Sequence, residues 1–376
     1  MLFVMPSKII HRIVAETGIP NLDAALTALA PSDLQSLLMH VYQIRTRALG
    51  VPHLLRNAAR PLFQASQIDA RLLNTFDRVA FETAPGFEAL DLAPVCTLGL
   101  NHVLGAIDQN SVLTTIRNGE VLGDATMPLA LECWRRRKLS SRRPESTPVR
   151  LAASHRMVRL QPFDVPGYVP HFRLFSMVSA GRDTGSDAFE IEHLAEHLRF
   201  YLRLFRALRA HGFGLNSPLV EISDTRIIQS LLAKHKIGAD EISRTIRAHR
   251  LGTSRELLDA HGIALPDSVE DPARELREQT SEQGISRLAR LKSESLDPVQ
   301  AEFPEAQFRF NLARLEGLNY YAGFTLRISP ATADGARYPV VDGGFTDWTA
   351  RLLQNKKERL LTSGIGTEFV CLRYRA

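Results

Sequence analysis

The sequence predicts an α+β fold: a mainly antiparallel sheet flanked by helices, with an N-terminal helical extension and a helical insertion. Three observations predict it. Apolar residues keep helical spacing through residues 1 to about 80. Beyond that the period shortens to two, in strand-like segments whose connections are often too short for crossover helices. Residues 225–300 then return to charged, helical sequence with almost no strand signal. The expected organisation is an extension at 1–65, a core at 66–224 and 305–376, and an insertion at 225–304.

The elements follow in order. Ser32-Asp33 can cap a helix through LQSLLMHVYQIRTRAL, with Leu34, Leu38, Val41 and Ile44 spaced for one buried face. A second amphipathic run covers about 67–84 and ends at Pro85-Gly86. FEALDLAPV, from Phe87, alternates like a strand. Shorter strand signals lie near 111–116, 120–123, 149–160 and 171–180. A long amphipathic helix is expected over 187–211. Strand character resumes over 308–329, followed by a helix at about 347–361 and a last strand at about 365–373.

Composition bounds the function. Hydrophobic residues make up 44% of 376, enough for one large domain with appendages or for two domains. A charged fraction of 23% excludes disorder across the chain. The net charge of +5 favours anionic ligands, but is too mild and dispersed to argue nucleic-acid binding. Cys96, Cys133 and Cys371 stand far apart with no CxxC, which argues against a disulfide framework or a structural zinc site. The apolar start is broken by Pro6, Lys8, His11 and Arg12, so neither a membrane span nor a signal peptide is expected, and the chain is read as cytoplasmic. His193 and His197, with Glu196, match an H-x-x-E-H spacing that suits zinc on one helix face. No third ligand is identifiable, and no metal is assigned.

Five motifs carry chemistry. The first is GFEALDLAPV, Gly86 to Val95, where a helix leaves through glycine into a strand closed by Pro94. The second is LGDATMPLALE, where Asp124 and Thr126 can both accept from an ammonium group. Asp124 is equally suited to cap the following helix, with Pro128 in its first turn. The third runs from Val158 to Asp183 and holds Arg159, His171 and Arg173 in a basic strand–loop–strand. The fourth is ARLEGLNYYAGFTL, with Tyr320 and Tyr321 between Gly317 and Gly323. On periodicity alone that pair would alternate across a half-buried strand. The fifth is DGGFTDWTARLL, followed by SGIGTEFVCL with Gly364, Gly366 and Glu368. The intervening Lys356, Lys357 and Arg359 read as a solvated helix face.

In this order the motifs resemble those of histidyl-tRNA synthetase-like class II proteins. Gly86–Val95 resembles motif 1, which implies a homodimer interface. Asp124, Thr126 and Pro128 resemble the amino-group site in the Asp-x-Thr-x-Pro form of the paralogue that regulates ATP phosphoribosyltransferase. Val158-Arg159-Leu160-Gln161 stands where motif 2 has Phe-Arg-x-Glu, so Arg159 keeps the arginine that contacts the α-phosphate. The family's imidazole-reading Gln and Glu fall on Met177 and Gly181. The fourth motif resembles the signature Arg-Gly-Leu-Asp-Tyr-Tyr-Thr-Gly, with Glu316 for Arg and Asn319 for Asp. Gly343, Gly344 and Asp347 resemble Gly-Gly-Arg-Tyr-Asp. Gly364, Gly366 and Glu368 resemble motif 3, with Phe369 in the arginine place.

The resemblance implies a binding site for an amino-acid-like molecule at Asp124, Thr126, Arg159, Tyr320 and Tyr321. Any retained nucleotide site would use Arg159, Arg173 and Glu368. Loss of two arginines removes charge that adenylation needs. The reading is therefore a silent regulatory paralogue with a phosphoribosyltransferase-type partner enzyme. Its alternative is a ligase that uses ATP and Mg2+ to adenylate an unusual amino acid or carboxylate. In that case Arg173, Lys356 or Lys357 would supply the missing charge. The sequence ends at Ala376, soon after Phe369, so no anticodon reading is expected. No catalytic residue is assigned.

Overall fold

The computed structural model describes residues 8–140, 147–160, 170–238, 254–263 and 280–375, with scattered positions between 242 and 276. Four helices come first among the described residues: α1 (Lys8–Thr17), α2 (Leu22–Thr27), α3 (Pro31–Arg47) and α4 (Val51–Ala58). In α3 the cap position is Ala30 and Pro31 fills the first turn, so Ser32 and Asp33 lie inside the helix rather than before it. The expected buried face is not buried: Leu34 and Leu38 are half-covered, and Val41 and Ile44 are exposed. None of these four helices buries a residue.

The core begins with α5 (Ala70–Thr83), capped by Asp69, whose carboxylate accepts from Arg71 N at 2.9 Å. It buries Leu73, Phe76, Val79 and Ala80. The alternating run after Phe87 divides at Pro94 into β1 (Glu88–Ala89) and β2 (Val95–Thr97), which join different sheets. Then come α6 (Leu100–Gly105), β3 (Thr114–Thr115), β4 (Gly119–Val121), α7 (Thr126–Ser140), β5 (Val149–Val158), β6 (His171–Arg182) and α8 (Ala188–Arg209). β7 (Asn216–Asp224) was not expected, because its sequence opens on Asn-Ser-Pro and lacks alternation. Between β7 and β8 the described residues form α9 (Thr225–Lys234), α10 (Ser254–Ala260), α11 (Glu282–Leu291), a π-helical stretch (Lys292–Leu296) and α12 (Asp297–Glu302). The chain closes with β8 (Gln307–Phe310), β9 (Phe324–Ala331), β10 (Val341–Thr346), α13 (Trp348–Leu353), β11 (Glu358–Gly366) and α14 (Thr367–Arg373).

Among the described residues the main sheet has eight strands in the order β1-β5-β6-β11-β10-β9-β7-β8. Its inner pairs are antiparallel, as the short connections predict. Its edges are parallel: β1 with β5 and β8 with β7. A parallel pair needs a long crossover, and the chain between β7 and β8, with its described helices, is that crossover. β2, β4 and β3 form a separate small sheet.

Three expectations near the C-terminus are overturned. Residues 313–323 form turns, not strand, and Gly317 adopts φ +84° there. The helix expected to 361 stops at Leu353, where Gln354 turns left-handed at φ 51°, and Lys356-Lys357 lead into β11 instead. The expected last strand is the helix α14, which buries Thr367, Glu368, Val370 and Cys371. Such short apolar runs carry no period that separates strand from helix. One face of the sheet packs α5 and α8 through Phe175, Met177, Leu198 and Phe205. The other packs α7 and α13 through Leu129, Cys133, Val178, Trp348 and Leu360.

Candidate functional site

The site forms on the α7 face of the sheet, where α7 begins. Asp124 Oδ1 accepts from the backbone N–H of Thr126 at 2.9 Å and from its hydroxyl at 2.7 Å. Asp124 thus holds the first turn of α7, as the capping reading expects. Its second oxygen is turned elsewhere. Tyr320, 196 residues along the chain, donates its hydroxyl to Asp124 Oδ2 at 2.9 Å. Thr126 Oγ1 lies 3.0 Å from the same phenol oxygen. Arg159 donates to Gly123 O at 2.7 Å, lies 3.6 Å from Asp124 Oδ2, and stacks on Phe172 at 5.3 Å.

The tyrosine pair is placed by a turn. Gly317 O accepts from Tyr320 N at 2.9 Å and Tyr321 N at 2.8 Å, and the left-handed φ of Gly317 makes this possible. Tyr320 is wedged between Trp348 and Tyr321, with ring centroids 5.0 and 4.8 Å away. Burial, then the Asp124 carboxylate, push its phenol well above the usual range, so it stays a donor at neutral pH. Tyr321 donates to Asp342 Oδ2 at 2.9 Å, and Arg314 donates to Asp342 Oδ1 at 2.6 Å. Gly344 admits the ring: a Cβ there would lie 2.7 Å from Tyr321 Cδ1.

Strand register extends this polar face. Ser176, Gly364, Asp342, Arg327, Glu221 and Arg309 stand in one row across β6, β11, β10, β9, β7 and β8. Glu221 accepts from Arg309 at 2.7 Å and from Asn311 at 2.9 Å. Glu316 lies 3.8 Å from Arg327. Sequence reading missed Asp342 and Arg314. Their signals were a carboxylate opening the Gly-Gly strand and an arginine just before Glu316.

The remaining expected residues lie elsewhere. Arg173 points to the α5 face and donates to Asp77 at 2.8 Å. Glu368 is on that side too. It accepts from both Arg156 guanidinium nitrogens at 3.1 Å, from Arg173 N at 2.8 Å and from the Ser66 hydroxyl. Arg159 and the Arg173–Glu368 pair therefore do not converge. Phe369 packs edge-on against Tyr338. Lys356 and Lys357 precede β11, about 25 Å of strand away from Gly366. Gln161 lies outside the described residues. Met177 is buried against the α5–α8 side, and a Cβ on Gly181 would lie 2.3 Å from the Phe189 ring. Neither faces Asp124. The β6 residues on its side are Ser176, Val178 and Ala180, one residue out of step with the sequence expectation.

The H-x-x-E-H histidines are core residues. His197 lies with Nε2 at 3.0 Å from Ser179 Oγ and Nδ1 at 2.8 Å from Ser363 Oγ. His193 Nδ1 lies 2.7 Å from Glu196. Both His197 nitrogens are thus engaged between α8 and the sheet, leaving no lone pair directed at an ion. No group of three metal-ligating side chains occurs among the described residues.

No protein-family model matches the sequence, and no curated protein does. Solved structures do match. One is an ATP phosphoribosyltransferase regulatory subunit/histidyl-tRNA synthetase from Bacillus halodurans C, at TM-score 0.56 and 14% identity, covering 83% of this chain and 82% of that one. A second is the histidyl-tRNA synthetase of Nostoc sp. PCC 7120, at TM-score 0.59 and 17% identity, covering 82% and 73%. A third, a histidine–tRNA ligase subunit from Alicyclobacillus acidocaldarius, has TM-score 0.56 and 17% identity, covering 83% and 95%. The chain has the histidyl-tRNA synthetase-like fold. In this fold the site combines an α7 entry turn, a tyrosine turn and the middle strands of the sheet.

Proposed function

We propose that this chain is a catalytically altered histidyl-tRNA synthetase-like paralogue that binds an amino-acid-like ligand and regulates a partner. Asp124, Thr126 and Tyr320 would hold the ligand's amino group. Asp124 and the Thr126 and Tyr320 oxygens lie within 3.0 Å of one another in a chain of contacts. Together they offer acceptors to an ammonium ion. Arg159 would face the ligand's carboxylate, and Tyr321 with Asp342 its side chain.

One observation carries the regulatory reading: the acceptor cluster is intact while the charge for adenylation is not. Glu316 replaces the signature arginine and faces Arg327. Phe369 replaces the motif 3 arginine and packs on Tyr338. Arg173 and Glu368 are engaged with Asp77 and Arg156 on the far face. The arginines that adenylation would use are replaced: Glu316 puts a carboxylate beside Arg327, and Lys356 and Lys357 stand about 25 Å of strand from Gly366. The partner in this reading is an enzyme of phosphoribosyltransferase type. The chain pairs with a second copy through Gly86–Val95 and works in the cytoplasm. Among the described residues no helix is long and apolar enough to cross a membrane.

The ligase reading keeps one observation in its favour. Arg159 holds its motif 2 place within 3.6 Å of Asp124. A thermal-shift screen of each proteinogenic amino acid, with and without ATP and magnesium, separates the two. Stabilisation by an amino acid alone supports the regulatory reading. Stabilisation that needs ATP overturns it in favour of the ligase.

A further inference from the structure

Asp342 stands open beside the tyrosine turn. Its side chain is 49% exposed, whereas Arg314 is 4% exposed and Arg327 18%. Tyr321 donates to Oδ2 and Arg314 to Oδ1, one bond on each oxygen. A carboxylate offers about four lone-pair sites, so about half of this one's accepting capacity is left over.

The strand beside it is bare. Asp342 pairs with Gly364 on β11, and Gly364 pairs with Ser176 on β6. Gly364 has no side chain and is half-buried, so solvent reaches the strip between the two. Ser176 closes the strip on the far side. Its hydroxyl is buried and has no hydrogen-bond partner among the described residues. It lies 3.5 Å from where a Cβ on Gly364 would stand, so it is aimed along the bare strip. Buried hydroxyls are normally bonded, and this one lacks only its partner. Neighbouring strands lie about 4.8 Å apart, so Asp342 and Ser176 flank a gap about 10 Å wide, with glycine as its floor.

The chemistry of that gap selects what enters it. An apolar group would strip water from an ionised carboxylate and return no bond. An acidic group would stand against Asp342, with Glu316 beyond it beside Arg327. An ammonium group gains a charge-assisted bond to Asp342 and has donors left for Ser176 Oγ. Arg314 and Arg327 offset part of the Asp342 charge, but both are less exposed, and an entering group meets the carboxylate first. The two tyrosines set a second carboxylate at a fixed spacing from the first. Tyr320 donates to Asp124 and its neighbour Tyr321 to Asp342, from one turn.

We propose that the gap over Gly364, between Asp342 and Ser176, is a side-chain subsite, and that the ligand is a diamino acid. Asp124, Thr126 and Tyr320 take its α-amino group, and Asp342 takes the ammonium group at the end of its side chain. This rests on the amino-acid reading above and narrows it to one chemical class.

The test is calorimetric titration of the full chain. L-2,4-diaminobutyrate, L-ornithine and L-lysine vary the distance between the two ammonium groups. L-norleucine, L-glutamine and L-glutamate supply an apolar, a neutral and an acidic side chain. One diamino acid should bind at least about 30-fold tighter than each of these three. Asp342→Asn should erase that margin and change L-norleucine affinity less than about threefold. Gly364→Ala adds a methyl at ordinary contact distance, 3.5 Å from Phe175 O and Ser176 Oγ, so it should fold as wild type. It fills the gap, and the same diamino acid should bind about tenfold more weakly. L-norleucine, L-glutamine or L-glutamate binding as tightly as the diamino acids overturns the subsite and leaves the amino-acid site standing. So does a margin that survives both variants. Binding of none of the six overturns the amino-acid reading itself, and the subsite with it.

Discussion

Tyr320 and Asp124 share a hydrogen bond of 2.9 Å that joins the start of α7 to the turn before β9. The bond uses the one Asp124 oxygen that the helix cap leaves over. Tyr320→Phe removes that donor and the contact to Thr126. It should cost about 1 kcal/mol of stability, and affinity for the stabilising amino acid should fall about tenfold. Asp124→Ala removes the negative charge, and affinity should fall at least about 100-fold. Calorimetric titration with that amino acid checks both. Equal loss in the two variants would sink the assignment of Asp124 as the charged partner.

Gly344 tests how tightly the tyrosine turn meets the sheet. A Cβ there would lie 2.7 Å from Tyr321 Cδ1, 2.9 Å from Thr325 Cγ2 and 3.0 Å from Phe324 O. Backbone cannot step aside cheaply, so Gly344→Ala should destabilise by about 2 kcal/mol. It should also push Tyr321 away from Asp342. Urea denaturation gives the first number. A crystal structure of the variant shows the second, and an unmoved Tyr321–Asp342 bond would contradict the prediction.

Helix α9 grips the same turn from behind. Thr225 donates to Gly323 O through its N–H at 3.1 Å and its hydroxyl at 3.2 Å, and Gln229 donates to Leu318 O at 3.3 Å. Gln229→Ala should therefore weaken ligand binding about threefold to tenfold although Gln229 touches none of the ligand-facing groups. Hydrogen exchange of Tyr320 and Tyr321 N–H should speed up in the same variant. Weakened binding with unchanged exchange would mean the effect travels another way.

What the sequence made legible, and what it hid, divides along the range of the contacts. The local contact between Asp124 and Thr126 is legible because its bonds span two residues. The tyrosine turn is recognisable from its glycine frame, though periodicity alone would make it strand. Asp342 and Arg314 escape because their meeting depends on the pairing of β9 with β10, which no local pattern encodes. β7 and β11 escape for a related reason: strands buried on both faces lose their alternation. The helices of the extension are legible from spacing, but spacing predicts a buried face whether or not a partner is there to bury it.

His197 shows the same limit and gives a pH prediction. Its spacing to His193 suits a metal, but the serines that take its nitrogens come from β6 and β11. Complete burial pushes the imidazole down to about 3 from 6.5. The unfolded chain therefore takes up a proton near pH 6.5 that the folded one refuses until about pH 3. The stability this confers is complete above pH 6.5 and is lost as pH falls from there toward 3. Within that window the slope from this group approaches about 1.4 kcal/mol per pH unit. His197→Gln keeps an amide for the serines but cannot titrate. The difference in unfolding free energy between wild type and variant should be flat from pH 8 to about 7. It should then shrink steadily down to about pH 4.5, as wild type alone pays for the proton. Parallel curves for the two proteins would mean that His197 titrates alike in the folded and the unfolded chain, so that its burial between the serines does not depress it.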